Sequence, residues 1–140
     1  MRITKVEVFP LDAEAEAHGV HGLVRVETDE GIFGWGSCYT TPQLVRASLD
    51  DLSPLIIGES VEPERVTEKL HQATYWYGRG GVLTTFISGI NIALWDIYGK
   101  ATGQSVSRLL GGRFREKIKP YASQSFRGPM EEMVKRIQVA

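Results

Sequence analysis

The sequence has a single cysteine and almost no excess charge of either sign. Cys38 is the lone thiol among 140 residues, which excludes an intramolecular disulfide and suits a reducing compartment. The formal net charge is −1, so no basic field is present to attract nucleic acid or an anionic membrane. We therefore expect neither nucleic acid nor a membrane as a partner.

Long apolar runs are lacking as well. No uninterrupted run approaches the roughly 18 residues that a membrane-spanning helix needs. Residues 1–5, MRITK, lack the apolar stretch of a signal peptide, so the cytoplasm is the expected location. The apolar fraction of 42% and the charged fraction of 24% are typical of a globular domain with its own core.

The first third of the sequence has the pattern of a three-stranded antiparallel sheet. Residues 3–11 are rich in β-branched and aromatic residues and predict a strand that ends at Pro10. Residues 23–28 and 32–36 predict a hairpin whose tight turn includes Gly31, where a positive φ is accessible. Residues 13–22 are small and polar and predict a loop.

Helical patterns follow. Thr41 and Pro42 predict the start of a helix that Ser53-Pro54 ends. A second helix is predicted from Glu62-Pro63, and its apolar face is predicted to comprise Val66, Leu70, Ala73 and Tyr77.

The longest predicted helix covers residues 82–102 and is apolar on more than one side. Such a helix must be buried on several faces, and each fully buried large apolar side chain contributes roughly 1.5–3 kcal/mol. We expect it to dominate the stability of the domain. Gly103 is its predicted C-terminal stop, and Ser105 is predicted to cap a short helix that stops at residues 111–112.

The composition changes after residue 112. Residues 113–119 are basic and resemble a connector, residues 117–123 predict a strand, and Gly128-Pro129 opens an amphipathic helix. A single strand and helix cannot bury their apolar faces without partners. We therefore predict two parts, a domain over residues 1–112 and the beginning of a second domain over residues 113–140.

The order of these elements resembles the N-terminal capping domain of the enolase superfamily, in its mandelate racemase / muconate lactonizing enzyme group. Four strings resemble family sequences in the same order: VRVETDEG with GWG (residues 24–36), IALWDIYGKATGQ (92–104), LLGG (109–112) and KPYAS (119–123). The resemblance covers nearly the whole chain. It implies an α+β fold, a three-stranded antiparallel meander followed by a helical bundle, and then the first βα unit of a (β/α)8 barrel.

The resemblance also implies a chemistry. In this family the capping domain closes over the barrel, where a lysine or histidine base removes a proton next to a carboxylate and Mg²⁺ stabilises the enediolate. A (β/α)8 barrel takes about 250 residues, so the base and the metal ligands would lie beyond Ala140. No catalytic residue or metal ligand is therefore assigned, and the 140 residues alone are expected to be inactive. The implied partners are the missing barrel domain, a carboxylate or sugar-acid substrate, and further copies in a homo-oligomer.

Several functions remain open at this point. Dehydration of a sugar acid is the first expectation, with racemisation or cycloisomerisation as alternatives in the same superfamily. The alternative from another functional class is that the 140 residues act alone as a binding or assembly module without catalysis.

The resemblance suggests five substrate-binding residues. His18 and His21 lie in the segment that matches the first specificity loop of the family, and Tyr39 and Thr40 lie in the segment that matches the second. Ser123 follows the predicted barrel strand, where active-site residues gather in this fold. The alternative is that all five are ordinary loop residues, and a metal site at His18 and His21 lacks a third ligand.

Other polar and aromatic residues favour structural roles. Cys38 has no visible activating partner and is expected to be a buried thiol. Asp96 and Lys100 are spaced for an ion pair or a polar anchor. The aromatic run 75–77 is expected to pack in the core or at a domain interface. Ser37 stands where many family members have glutamate, so no carboxylate role is carried over to that position.

Overall fold

A computed structural model describes residues 1–11, 22–78, 80–120 and 129–139. The chain begins with a three-stranded antiparallel sheet in the order β1 (Ile3–Pro10), β2 (Gly22–Thr28) and β3 (Phe33–Cys38). β2 is central, pairing Val24 with Val8 on one side and with Gly36 on the other. The three predicted strands are confirmed, and β3 continues two residues beyond the predicted end.

Helices make up most of the remaining described chain. They are α1 (Pro42–Ile56), α2 (Pro63–Ala73), a 3-10 turn (Tyr75–Tyr77), α3 (Val82–Thr102), α4 (Val106–Leu109) and α5 (Met130–Val139). Gly103 takes the left-handed conformation that ends α3, with φ of 63°. The α+β architecture of a sheet followed by helices is confirmed.

The core lies between the inner face of the sheet and α3. Val24 and Val26 of β2 are fully buried, as are Ile90 and Leu94 of α3. α1 and α2 cover the flanks of α3 and bury Ile56 and Leu70, among others. By length and mean hydropathy alone α3 could also cross a membrane, but those two measures are met by buried core helices too. The position of α3 beneath the sheet accounts for its apolar character.

The predicted end of the first helix at Ser53-Pro54 is wrong. α1 continues through Pro54 to Ile56, and the Ile57 amide still donates to the Ser53 carbonyl. A proline removes one helical hydrogen bond and crowds the preceding turn. Complete burial of Ile56 opposes that cost, because the extra turn is what places this side chain in the core.

The predicted apolar face of the second helix is only partly correct. Val66 and Leu70 are buried, but Ala73 is exposed and α2 ends there. Tyr77 lies in the 3-10 turn with 73% of its surface exposed, and Trp76 is 91% exposed. Packing of this aromatic run in the core of residues 1–112 is therefore wrong, while packing at a domain interface remains a prediction.

The end of the chain is described in part. Residues 113–120 contain no strand, and residues 121–128 lie outside the described ranges, so the predicted strand at 117–123 is only partly covered. α5 forms where the amphipathic pattern predicts a helix. Its apolar residues Met130, Val134 and Ile137 are exposed.

Candidate functional site

The site is built on a backbone contact between β3 and α3. A Cβ atom placed on Gly36 would lie 1.9 Å from the Gly89 carbonyl oxygen, and one on Gly34 would lie 2.0 Å from the Ala93 carbonyl oxygen. A Cβ atom on Gly89 would lie 2.6 Å from the Cys38 Sγ. Only glycine permits so close an approach of strand and helix. The GWG string of β3 and Gly89 of α3 therefore fix the distance between these two elements.

Two charged side chains of α3 hold the outer edge of β3. The Trp35 amide donates to the Asp96 Oδ2 at 3.0 Å, and the Lys100 ammonium donates to the Phe33 carbonyl at 2.8 Å. Lys100 also forms an ion pair with Asp96 at 2.6 Å. The predicted polar anchor is thus confirmed. It satisfies backbone groups that an edge strand would otherwise present to solvent.

Where β3 ends and α3 begins, the two elements leave an open cleft of about 430 Å³. One wall comes from the end of β3 and the residue that follows it, and the other from the first turns of α3. Among the described residues, the lining comprises Ser37, Cys38, Tyr39, Gly81, Thr84, Thr85, Ser88 and Ile92. None of these side chains is charged at neutral pH, and five of them carry a hydroxyl group.

The Cys38 thiol in the wall of the cleft is unreactive at neutral pH. Cys38 is 1% exposed, and burial raises the pKa of its thiol to about 11. The thiolate is the reactive form of cysteine, so almost none is present at neutral pH. Cys38 therefore serves packing against Gly89, as expected for a buried thiol.

Of the five predicted substrate-binding residues, the structure describes two. Tyr39 lines the cleft and is 72% exposed, whereas Thr40 is half-buried and follows it without lining the cleft. His18, His21 and Ser123 lie outside the described residues, and their roles stay predictions.

Sequence reasoning missed Thr84 and Ser88, which bring α3 into the site. The sequence did contain a signal for them. Thr84 and Ser88 are polar residues four apart in a largely apolar helix, and they share a helix face with Gly81 and Ile92.

A metal site would need several ligating side chains close together. Across the described ranges, no three His, Cys, Asp or Glu side chains are grouped so that they could hold a metal ion. These residues therefore do not fit a magnesium site.

Comparison with known proteins agrees with this architecture. The family model for the mandelate racemase / muconate lactonizing enzyme N-terminal domain matches residues 10–111. The chain is 42% identical over 108 residues to D-galactarolactone cycloisomerase of Agrobacterium fabrum, covering 76% of this chain and 29% of that protein. It is 39% identical over 127 residues to D-galactonate dehydratase of Pectobacterium atrosepticum, covering 87% and 31%.

A solved structure matches over nearly the whole chain. The crystal structure of 3,6-anhydro-D-galactonate cycloisomerase from Zobellia galactanivorans superposes with a TM-score of 0.84 at 29% identity. The match covers 99% of this chain and 39% of that one. The chain thus spans about a third of the length of the proteins it matches.

Proposed function

Since the chain belongs to the mandelate racemase / muconate lactonizing enzyme family, as its N-terminal domain, we propose that it is the substrate-capping part of a magnesium-dependent sugar-acid dehydratase. Residues 113–140 would then be the linker and the first strand and helix of the barrel. The reaction would remove a proton next to the carboxylate and expel the neighbouring hydroxyl group as water. Racemisation or cycloisomerisation would begin with the same proton abstraction.

The observation that carries the proposal is the cleft between the end of β3 and the start of α3. It is open, the lining residues that the structure describes carry no charge, five of them carry a hydroxyl group, and Tyr39 is exposed at its wall. A cap of this kind shapes the pocket and excludes water from the reacting carbon. The relatives named for D-galactonate and D-galactarolactone support a sugar acid as the substrate.

Exposed apolar side chains in the segment that follows α4 support a missing barrel domain as the partner. Leu110, Phe114 and Ile118 are 61%, 92% and 80% exposed. Large exposed apolar patches mark interaction sites in soluble proteins. Magnesium, when bound, would stabilise the enediolate charge. Its ligands and the catalytic base would belong to the barrel, and the cap would position the substrate.

The proposal is tested by sequencing the gene past codon 140. The protein encoded by the complete reading frame and the 140-residue chain are then each assayed for turnover. We expect an open frame encoding a barrel with a Lys-x-Lys or Lys-x-His pair. We expect the complete protein with Mg²⁺ to convert D-galactonate to a 2-keto-3-deoxy acid and, in D₂O, to leave one solvent deuterium at C3 of that product. The 140-residue chain should do neither.

Two outcomes would contradict the proposal. A stop codon after codon 140, with a stable and monodisperse 140-residue protein, would favour the stand-alone module. Magnesium-dependent turnover by the 140 residues alone would show that the base and the metal ligands are within this chain.

A further inference from the structure

The sheet has a second face, turned away from α3, which we call the outer face. Val24 and Val26 of β2 are buried on the inner face, so the alternating residues Arg25 and Glu27 point outward. The register extends this alternation to β1 and β3, and every outward position of the three strands keeps part of its surface exposed. The outer face is therefore accessible to a partner.

Four charged side chains on the outer face alternate in sign. Lys5 and Glu7 of β1 form an ion pair at 2.7 Å. Arg25 and Glu27 of β2 form another at 3.0 Å. Across the two strands, Lys5 is the register partner of Glu27, and Glu7 is that of Arg25. Each charge thus has a neighbour of opposite sign along its strand and another across the ladder, which makes an alternating square.

Aromatic rings flank the charged square. The rings of Phe9 and Trp35 contact each other with centroids 5.3 Å apart, and Phe33 meets Trp35 edge-on at 6.4 Å. The Arg25 guanidinium lies over the Phe33 ring, 4.3 Å from its centroid. Phe9 and Phe33 are each 38% exposed. Aromatic residues and arginine are enriched at protein–protein interfaces, and side chains that their neighbours already hold lose little conformational freedom on binding.

The charge pattern favours a second copy of this chain as the partner. A surface of one sign would be repelled by half of the square, whereas the same face of a second copy matches all of it. A two-fold axis parallel to the strands places Lys5 opposite Glu27 of the second copy. It also places Glu7 opposite Arg25 of that copy. Sheets stacked about such an axis have nearly aligned strands, which is a common packing of two sheets.

We propose that the outer face of the sheet is a self-complementary interface through which two copies of this chain associate face to face. The proposal does not depend on the reaction of the complete protein, because it uses only contacts of β1, β2 and β3. At the usual strand spacing and rise the face measures about 15 by 20 Å, well below the ~800 Å² per partner of a standard stable interface. The 140-residue chain should therefore dimerise weakly, with a dissociation constant of about 0.1–1 mM.

A dilution series tests this without any change to the interface. The double variant Val134→Glu, Ile137→Lys serves as the parent, because it removes the exposed apolar stripe of α5 as a second route of association. The ¹⁵N-labelled parent is diluted from about 1 mM to about 20 µM, across the expected dissociation constant, while NMR follows amide signals and translational diffusion. We expect the signals of residues 5–9, 23–27 and 33–37 to shift together and diffusion to become faster, while the signals of α2 stay constant.

Two charge reversals then test the pairing. Lys5→Glu makes the square mainly acidic and Glu27→Lys makes it mainly basic, so each variant alone should associate about tenfold more weakly than the parent. An equimolar mixture should recover the affinity of the parent, because the acidic face of one chain matches the basic face of the other. Glu64→Lys on the exposed surface of α2 is the control, since it changes the net charge as Glu27→Lys does and should associate as the parent does.

Three results would overturn the interface. They are sheet signals that stay fixed on dilution, a mixture of the two charge variants that associates no better than either alone, and a monomeric complete protein whose barrel covers the outer face. Thermal denaturation identifies any charge variant that does not fold, and the dilution series of the parent decides the proposal even then.

Discussion

At the scale of single residues, the glycines of β3 and α3 are the positions that tolerate least change. Gly36 and Gly89 touch through backbone atoms, and the side chain of Cys38 fills the space beside them. A methyl group on Gly36 would have to displace the Gly89 carbonyl oxygen, which belongs to the backbone of α3.

Replacing Gly36 with alanine is therefore expected to lower the free energy of unfolding by at least about 2 kcal/mol. Gly22→Ala is the matched control, because its Cβ would meet the Phe9 carbonyl oxygen at an ordinary 3.6 Å. The control should be neutral or slightly stabilising, since glycine weakens strand interiors. Urea unfolding followed by tryptophan fluorescence measures both, and equal stability of the two variants would contradict the backbone contact.

At the scale of elements, the attachment of β3 to α3 depends on Asp96. This carboxylate accepts from the Trp35 amide and pairs with Lys100, which in turn donates to Phe33. Asp96 therefore accepts the hydrogen bond of one backbone amide of β3. It also orients Lys100, which donates to a backbone carbonyl of the same strand.

Asp96→Ala should destabilise the chain by about 1–3 kcal/mol, because it leaves the partly buried Trp35 amide without a hydrogen-bond acceptor. Hydrogen exchange at the Trp35 amide should accelerate more than exchange at the neighbouring amides of β3. Glu7→Gln weakens a solvent-screened surface ion pair with Lys5 and should change stability much less. Unchanged exchange at Trp35 in Asp96→Ala would show that the amide does not rely on this carboxylate.

Most elements could be predicted from the sequence because their signals are local. Strand alternation, the turn at Gly31 and the apolar pattern of α3 each depend on neighbours within a few positions. The extension of α1 through Pro54 could not be predicted, because the burial of Ile56 depends on distant elements. The cleft was only half predicted for the same reason: Tyr39 was found through its loop, whereas Ser88 reaches it only once α3 packs against β3.

At the scale of the whole molecule, the two ends of the described chain differ in how well they are packed. Residues 1–11 and 22–102 enclose a continuous core, whereas α5 exposes Val134 and Ile137. Such a helix gains stability when a partner covers its apolar stripe.

The 140-residue chain is consequently expected to associate in solution. Light scattering should give an average mass that rises with concentration, and the double variant Val134→Glu, Ile137→Lys should reduce that rise. A substitution of the exposed Tyr98 with serine, away from α5, serves as the comparison. A clean monomer at every concentration would contradict this expectation.

The backbone contact between β3 and α3 separates the residues that hold the domain together from the residues that line the cleft. Since strand and helix meet through main-chain atoms, the width of the opening is independent of the residues that face it. Positions 39, 84 and 88 can therefore be exchanged as a set while the scaffold beneath them keeps its shape. A combinatorial library confined to those three positions would vary the surface of the cleft without loosening the framework.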